Sequence, residues 1–286
     1  MFPAAFDYHA PTSISEALKL LGNGNKILAG GHSLLPLMKL RLAEPPALVD
    51  IGRIPELDGI REEGDTIVIG ARATHAAIER SDVLAQKVPL LCQTAAWVGD
   101  LQVRSRGTIG GSLAHADPGG DLPAAILALD ATLTAVGPSG SRTIAARDFF
   151  TGLMSTGLAD DEILTEIRVK ALPPRTGTAY EKFPNPASRY AIVGVAATIT
   201  LGSDGTVAQA AIGMTGLSER AFRASGVEVA LAGKRPVETE VAAAAEQADQ
   251  GQDALGDIHA SERYRRHLSH VLTKRAVLEA ASRARS

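Results

Sequence analysis

The sequence holds one cysteine, Cys92, in 286 residues. A lone thiol makes no internal disulfide and cannot by itself hold an iron–sulfur cluster or a structural zinc, so any such cluster must sit on another chain. Aromatic residues amount to only 4%, too few for the stacking platforms that grip single-stranded nucleic acid. Neither sign of charge is in excess. With 29 basic against 32 acidic residues the net charge is −3, so no overall basic field exists to gather phosphate polymers or anionic lipid, and nucleic acid is not an expected partner. Long apolar runs are missing too: no stretch reaches the roughly 18 residues of a transmembrane helix. The N-terminal segment MFPAAFDYHAPTSISEAL carries Asp7 and Glu16 and lacks the basic-then-apolar order of a signal peptide. These absences lead to the expectation of a cytoplasmic protein, with at most a peripheral association with the inner face of the membrane.

What is present suits a globular chain: 45% apolar and 21% charged residues, in a length sufficient for two or three cores of ordinary size. Ser13 and Glu16 have the spacing of a capping box, and Ile14, Ala17, Leu18 and Leu21 share one helical face, which predicts a helix from about 14 to 22. KILAGG reads as a buried strand, LLPLMK as a turn, and ALVDIG as another strand, an α/β layout. GIREEGDTIVIGA has the alternation of a hairpin around Glu63-Gly64-Asp65. Residues 73–80 and 88–98 read as helices, and DLPAAILALDATLTAV as helix passing into strand. Pro173 and Pro174 mark the best domain boundary, because proline neither continues a helix nor serves a central strand. Beyond them lie a hairpin turning at Gly202 to Gly205 and Ala- and Glu-rich helices.

Two stretches share an unusual composition, LAGGHSLLPLM at 28–38 and RGTIGGSLAHADPGGDLP at 106–123. Paired glycines permit positive φ and let backbone amides converge on an anion, and Ser33 and Thr108 add hydroxyls. Either stretch alone reads as ordinary turn chemistry; two such nests together suit a pyrophosphate. Competing motifs fail. Gly22-Asn23-Gly24-Asn25-Lys26-Ile27 lacks the third glycine of the dinucleotide fingerprint, no G-x-x-x-x-G-K-[ST] occurs, and Gly31-His32-Ser33-Leu34-Leu35 lacks the last glycine of a nucleophile elbow.

In these two loops, in ADPGGDLP after the second, and in FDYHAPTSISEALKLL, AARDFF and YEKF, the chain resembles the FAD-binding medium subunits of the molybdenum hydroxylases, most closely those of the aerobic carbon monoxide dehydrogenase type. The resemblance implies an α+β architecture. Two α/β subdomains, about 1–55 and 56–172, form a PCMH-type FAD-binding domain, and a C-terminal domain at 173–286 carries a small antiparallel sheet and helices. It implies a first pyrophosphate loop at Leu28, Ala29, Gly30, Gly31, His32 and Ser33, and a second at Gly107, Thr108, Ile109, Gly110 and Gly111, binding largely through backbone amides. Asp121 corresponds to an acceptor for the adenosine ribose; on sequence alone it is equally an N-cap for the helix near Pro123. Val98 and Leu164 correspond to apolar cofactor contacts, although alone they read as core. Lys182 corresponds to a lysine near the flavin ring, otherwise a surface lysine, and Tyr190 to an aromatic neighbour of the ring, otherwise strand packing.

By the same resemblance the chain is an oxidoreductase subunit without catalytic side chains of its own. A large subunit would carry the molybdenum cofactor and a small one two [2Fe–2S] clusters, in a dimer of heterotrimers. FAD here would pass electrons to a quinone or another acceptor. The substrate stays open between carbon monoxide and N-heteroaromatic, purine or aldehyde compounds. Two alternatives stand beside this reading: a freestanding flavin oxidoreductase, for which the sequence shows no obvious general base, and a non-catalytic nucleotide-binding module. His267 and His270 read as a solvated helical face rather than a metal site, His115 and Asp117 as a hydrogen-bonded turn. Arg263, Arg265, Arg266, Lys274, Arg275, Arg283 and Arg285 read as a solvated or partner-docking basic helix.

Overall fold

The computed structural model describes residues 1–285 and distributes them over three main sheets and a two-stranded ribbon. Strands β1 (Asp7–His9), β2 (Lys26–Leu28) and β3 (Ala47–Asp50) form a parallel sheet in the order β1-β3-β2. Parallel neighbours require crossovers, supplied here by helices Ile14–Leu20 and Leu34–Lys39. Ser13 Oγ accepts the Glu16 amide at 3.2 Å, and Glu16 accepts the amide of Thr12 at 2.9 Å, one residue earlier than a capping box requires. The first helix stops at Leu20, short of the expected 22; Gly22 beyond it has φ +95°, outside the right-handed region. Residues 34–39 wind into a helix instead of the expected turn, because Pro36 falls in its first turn, where proline is tolerated.

The second sheet is antiparallel throughout. Strands β4 (Ile60–Glu63) and β5 (Thr66–Gly70) make the expected hairpin, and β6 (Thr132–Gly137) and β7 (Gly140–Ala145) make another. The ribbon of β8 (Phe150–Gly152) and β9 (Ser155–Thr156) follows, and β10 (Ile163–Lys170) then inserts between the hairpins to give β4-β5-β10-β6-β7. Helices Pro89–Ala96, Ile109–His115 and Asp121–Ala128 contribute to the core over this sheet, with Ile67, Ile69, Leu91, Ile109, Leu113 and Ile126 all buried.

The third sheet has β11 (Thr176–Pro184), β12 (Ala191–Leu201), β13 (Val207–Thr215) and β14 (Phe222–Arg223) in antiparallel order, and β12 and β13 turn at Gly205 as the sequence implies. Every residue of helix Asp121–Ala128 is buried, because this helix touches the third sheet as well as the second core. Gly213 of β13 permits the contact: a Cβ there would overlap the carbonyl of Ala124.

Helix Glu262–Arg283 lies on β11 and β12 and buries Leu268, Leu272, Ala276, Val277 and Ala280. Its basic residues are not simply solvated. Arg265 is buried and donates to the carbonyls of Ile192 and Gly216 and to Asp257, while Arg266 pairs with Asp249 and Lys274 with Glu238. His270 lies 3.0 Å from Asp249 and 3.4 Å from Glu246, a carboxylate pair that sequence distance concealed. No group of three or more His, Cys, Asp or Glu among the described residues is disposed to hold a metal, and no helix among them is long and apolar enough to cross a membrane.

Candidate functional site

Both glycine stretches open on one cavity of about 700 Å³, within the range of sites that enclose cofactor-sized ligands. The first leaves β2 and bends at Gly31, whose φ of +78° lies in the left-handed region. The amides of Gly30, Gly31, His32 and Ser33 donate to no acceptor among the described residues, so this cavity-lining bend carries a run of unpaired N–H groups. Such a concavity with unpaired donors fits a phosphate, and nothing among the described residues satisfies those groups.

The second stretch is built differently from the nest expected. Thr108 caps helix Ile109–His115, its hydroxyl accepting the Gly111 amide at 3.1 Å. The amides of Ile109 and Gly110 donate to Ala73 and Ala71 at 3.0 and 2.8 Å, and that of Ser112 to Thr108. Its glycines therefore serve close approach more than donation. A Cβ on Gly110 would lie 2.6 Å from Ala71, and one on Gly30 would overlap the carbonyl of Arg106 and lie 2.8 Å from Gly107 Cα. The two stretches thus touch backbone to backbone, and the cavity lies along their seam.

Of the other expected residues, Val98, Leu164, Asp121 and Tyr190 line the cavity, as do Leu28, Ala29, Gly107, Thr108, Gly110 and Gly111. Ile109 does not: it is wholly buried in the second core. Lys182 does not line it either, nor is it the surface lysine that sequence alone allowed. Its ammonium group is buried behind Asp121, 2.8 and 2.9 Å from the two carboxylate oxygens and 3.2 Å from the carbonyl of Trp97. Asp121 also accepts from the hydroxyl of Tyr180 at 2.6 Å. It is no N-cap: Gly120 holds that position and makes no side-chain cap. The Tyr190 phenol, on the connection just before β12, lies against Ser33 of the first loop. Asp117 accepts the amide of Gly119 at 2.8 Å, the turn expected, with His115 at 3.9 Å.

Sequence reasoning missed His75, Gly99, Gly120 and the segment Ser188-Arg189, all of which line the cavity. Gly120 lies within the ADPGGDLP stretch already singled out, whereas nothing in the local composition of the others marks them; they arrive through tertiary folding.

Two buried groups at the wall titrate away from their ordinary ranges, in opposite senses. Burial pushes the Asp121 carboxyl up to about 6 against the pull of Lys182 and Tyr180, and pushes His75 down to about 4, with His32 and Arg104 adding repulsion. The folded state therefore binds a proton more readily than the unfolded chain at Asp121 and less readily at His75. Stability contributed through Asp121 is lost as pH rises from about 4 to 6; that contributed through His75 is lost as pH falls from about 6.5 to 4. In urea titrations over this window, His75→Gln gains on the wild type as pH falls and Asp121→Asn loses ground, each by on the order of 3 kcal/mol at 1.36 kcal/mol per pKa unit. A His75→Gln variant that loses ground as pH falls would contradict the first assignment, and an Asp121→Asn variant that gains would contradict the second.

Comparison with known proteins supplies the context for this geometry. The family described as the FAD-binding domain in molybdopterin dehydrogenase matches residues 4–171, and the CO dehydrogenase flavoprotein C-terminal domain matches 178–280. The chain is 42% identical to the carbon monoxide dehydrogenase medium chain of Hydrogenophaga pseudoflava, covering 99% of each. It is 38% identical to the 6-hydroxypseudooxynicotine dehydrogenase complex subunit alpha of Paenarthrobacter nicotinovorans, over 100% of this chain and 97% of that one. A solved structure of the Hydrogenophaga pseudoflava carbon monoxide dehydrogenase superposes with a TM-score of 0.96 at 44% identity, covering 99% of both chains.

Proposed function

From the premise that this chain belongs to the FAD-binding family of the molybdopterin dehydrogenases, we propose that it is the electron-transfer subunit of a multi-subunit molybdenum hydroxylase. The observation that carries this reading is the run of unpaired amides from Gly30 to Ser33, presented around left-handed Gly31 to a cavity that holds Asp121, Val98, Leu164 and Tyr190. The first loop grips the cofactor diphosphate, and Thr108, Gly110 and Gly111 shape the facing wall. Asp121, held by Lys182 and Tyr180, is the acceptor for sugar hydroxyls. Val98 and Leu164 exclude water, and Tyr190 flanks the ring. Bound FAD supplies an exchange between one-electron and two-electron chemistry.

The further assignments follow from the family. Electrons arrive from [2Fe–2S] clusters on a small partner subunit, after oxidation of substrate on a large molybdenum-bearing subunit, and leave to a quinone or another acceptor; the complex is cytoplasmic, at most peripheral to the inner face of the membrane. The assembly is a dimer of heterotrimers. Residues 1–172 hold the cofactor, and 173–286 complete its wall through Tyr190 and support Asp121 from behind through Lys182. Carbon monoxide is the favoured substrate of the complex, on the likeness to the Hydrogenophaga pseudoflava chain. Relatives named for other substrates leave the choice to the large subunit.

The purified chain is expected to be yellow, to carry one FAD, and to oxidise no small organic substrate until its partner subunits are added. Absorbance of the protein after gel filtration and mass spectrometry of the released ligand check this. A colourless chain that rejects added FAD defeats the proposal; turnover by the isolated chain points to a freestanding oxidoreductase instead.

A further inference from the structure

The cavity wall holds a buried imidazole, His75, to which the reading above gives no task. The residue is 4% exposed and lines the cavity, yet neither ring nitrogen has a hydrogen-bond partner among the described residues, and Nδ1 is sealed from solvent. The position is tightly built. Ala73 accepts the Ile109 amide at 3.0 Å and the His75 amide donates to Gly107 at 2.9 Å, so residues 73–75 are fastened to 107–109. Gly107 leaves room for the ring: a Cβ there would lie 2.8 Å from His75 Cδ2 and 2.9 Å from Nε2. Gly30 approaches that same Gly107 from the first loop. The imidazole therefore sits at the seam of the two loops.

Its protonation state follows from its surroundings. Burial, with His32 and Arg104 nearby, keeps the ring neutral at physiological pH, and a neutral imidazole carries one N–H. A sealed N–H without an acceptor is rarer in proteins than a sealed lone pair, which places the hydrogen on Nε2. That leaves a pre-oriented donor without an acceptor among the described residues, beside the loop whose amides are also unpaired.

We infer that His75 is a third arm of the diphosphate grip, a neutral imidazole whose Nε2–H donates to an anionic phosphate oxygen held at the seam of the loops. The inference rests on the FAD reading above and adds to it a ligand-binding residue outside both glycine stretches. A neutral donor suits the place, since it satisfies the oxygen without keeping a buried cation in the protein when the ligand is away.

The test uses the full-length chain freed of flavin and titrated at pH 7 with FAD, followed by quenching of flavin fluorescence, and with ADP, followed by calorimetry. His75→Leu removes the donor and is expected to weaken both ligands by about 10- to 100-fold, the worth of a hydrogen bond to a charged oxygen. His75→Gln keeps an N–H and is expected to retain most of the affinity. Nitrogen NMR of histidine-labelled wild-type chain reads the same contact without a substitution: ADP is expected to shift the His75 Nε2–H signal. Undiminished affinity in the leucine variant, equal losses in the two variants, loss toward FAD but not ADP, or an unmoved wild-type signal each overturns the inference while leaving the FAD reading intact. Wild-type chain that binds no FAD defeats both.

Discussion

Gly30→Ala is expected to release the flavin while leaving the chain folded. The added methyl has no free space: it overlaps the carbonyl of Arg106 and stands 2.8 Å from Gly107 Cα, and both obstacles are backbone, which cannot rotate away as a side chain can. The first loop must withdraw from the second, and the run of amides from Gly30 to Ser33 loses its place at the seam. Loss of even two hydrogen bonds to a charged oxygen weakens binding on the order of 100-fold or more. Gly30 is only half-buried and belongs to none of the hydrophobic cores, so the melting temperature changes far less than the affinity. Flavin absorbance retained through gel filtration is the measurement, with His270→Ala, outside the cavity lining and tied to Asp249 and Glu246, as a control that keeps its cofactor. Full flavin content in Gly30→Ala would remove the argument that loop contact organises the site.

Lys182→Met carries the largest expected cost to stability. The ammonium group lies in a buried pair with Asp121, whose second neighbour is the Tyr180 hydroxyl. Removing one member of a buried pair leaves the other uncompensated, typically at about 3–5 kcal/mol, whereas replacing both by apolar groups is often neutral or stabilising. The double variant Lys182→Met with Asp121→Leu should therefore recover most of what the single variant loses, which a urea-unfolding cycle measures directly. The deficit also has a pH signature. Asp121 already titrates near 6 with the lysine present, and without it the carboxyl rises further, so the deficit grows as pH climbs above about 6 and shrinks below it. A single variant as stable as the wild type at pH 8 would show that the pair carries no such energy.

Much of the frame is legible in the sequence because its signals are local. Ser13 caps its helix, the Glu63-Gly64-Asp65 stretch closes its hairpin, and β12 and β13 turn at Gly205, each through chemistry contained within a few residues. The first glycine loop is equally local, since Gly31 supplies its own left-handed bend. What the sequence conceals is contact across distance. The second stretch has the composition of a nest, but Ala71 and Ala73 occupy its amides, and no local rule announces them. Lys182 reads as an ordinary exposed residue within YEKF until the third sheet presses it against helix Asp121–Ala128. Arg265 looks like one more charge on a basic helix until the carbonyls of Ile192 and Gly216 surround it. His75 has neither motif nor periodicity to mark it and is visible only through its unpaired nitrogens.

The Asp121–Tyr180–Lys182 cluster has a consequence for how such chains diversify. Its carboxylate is contributed by one half of the chain and its phenol and amine by the other, and Gly213 brings the backbones together beneath it. Chimeras joined near residue 172 inherit a working cluster only when both parents share the same trio, so exchange of whole halves among relatives is constrained at three side chains more than by the area they cover. Recombination maps across homologues should show crossovers tolerated where the trio is matched and purged where it is split.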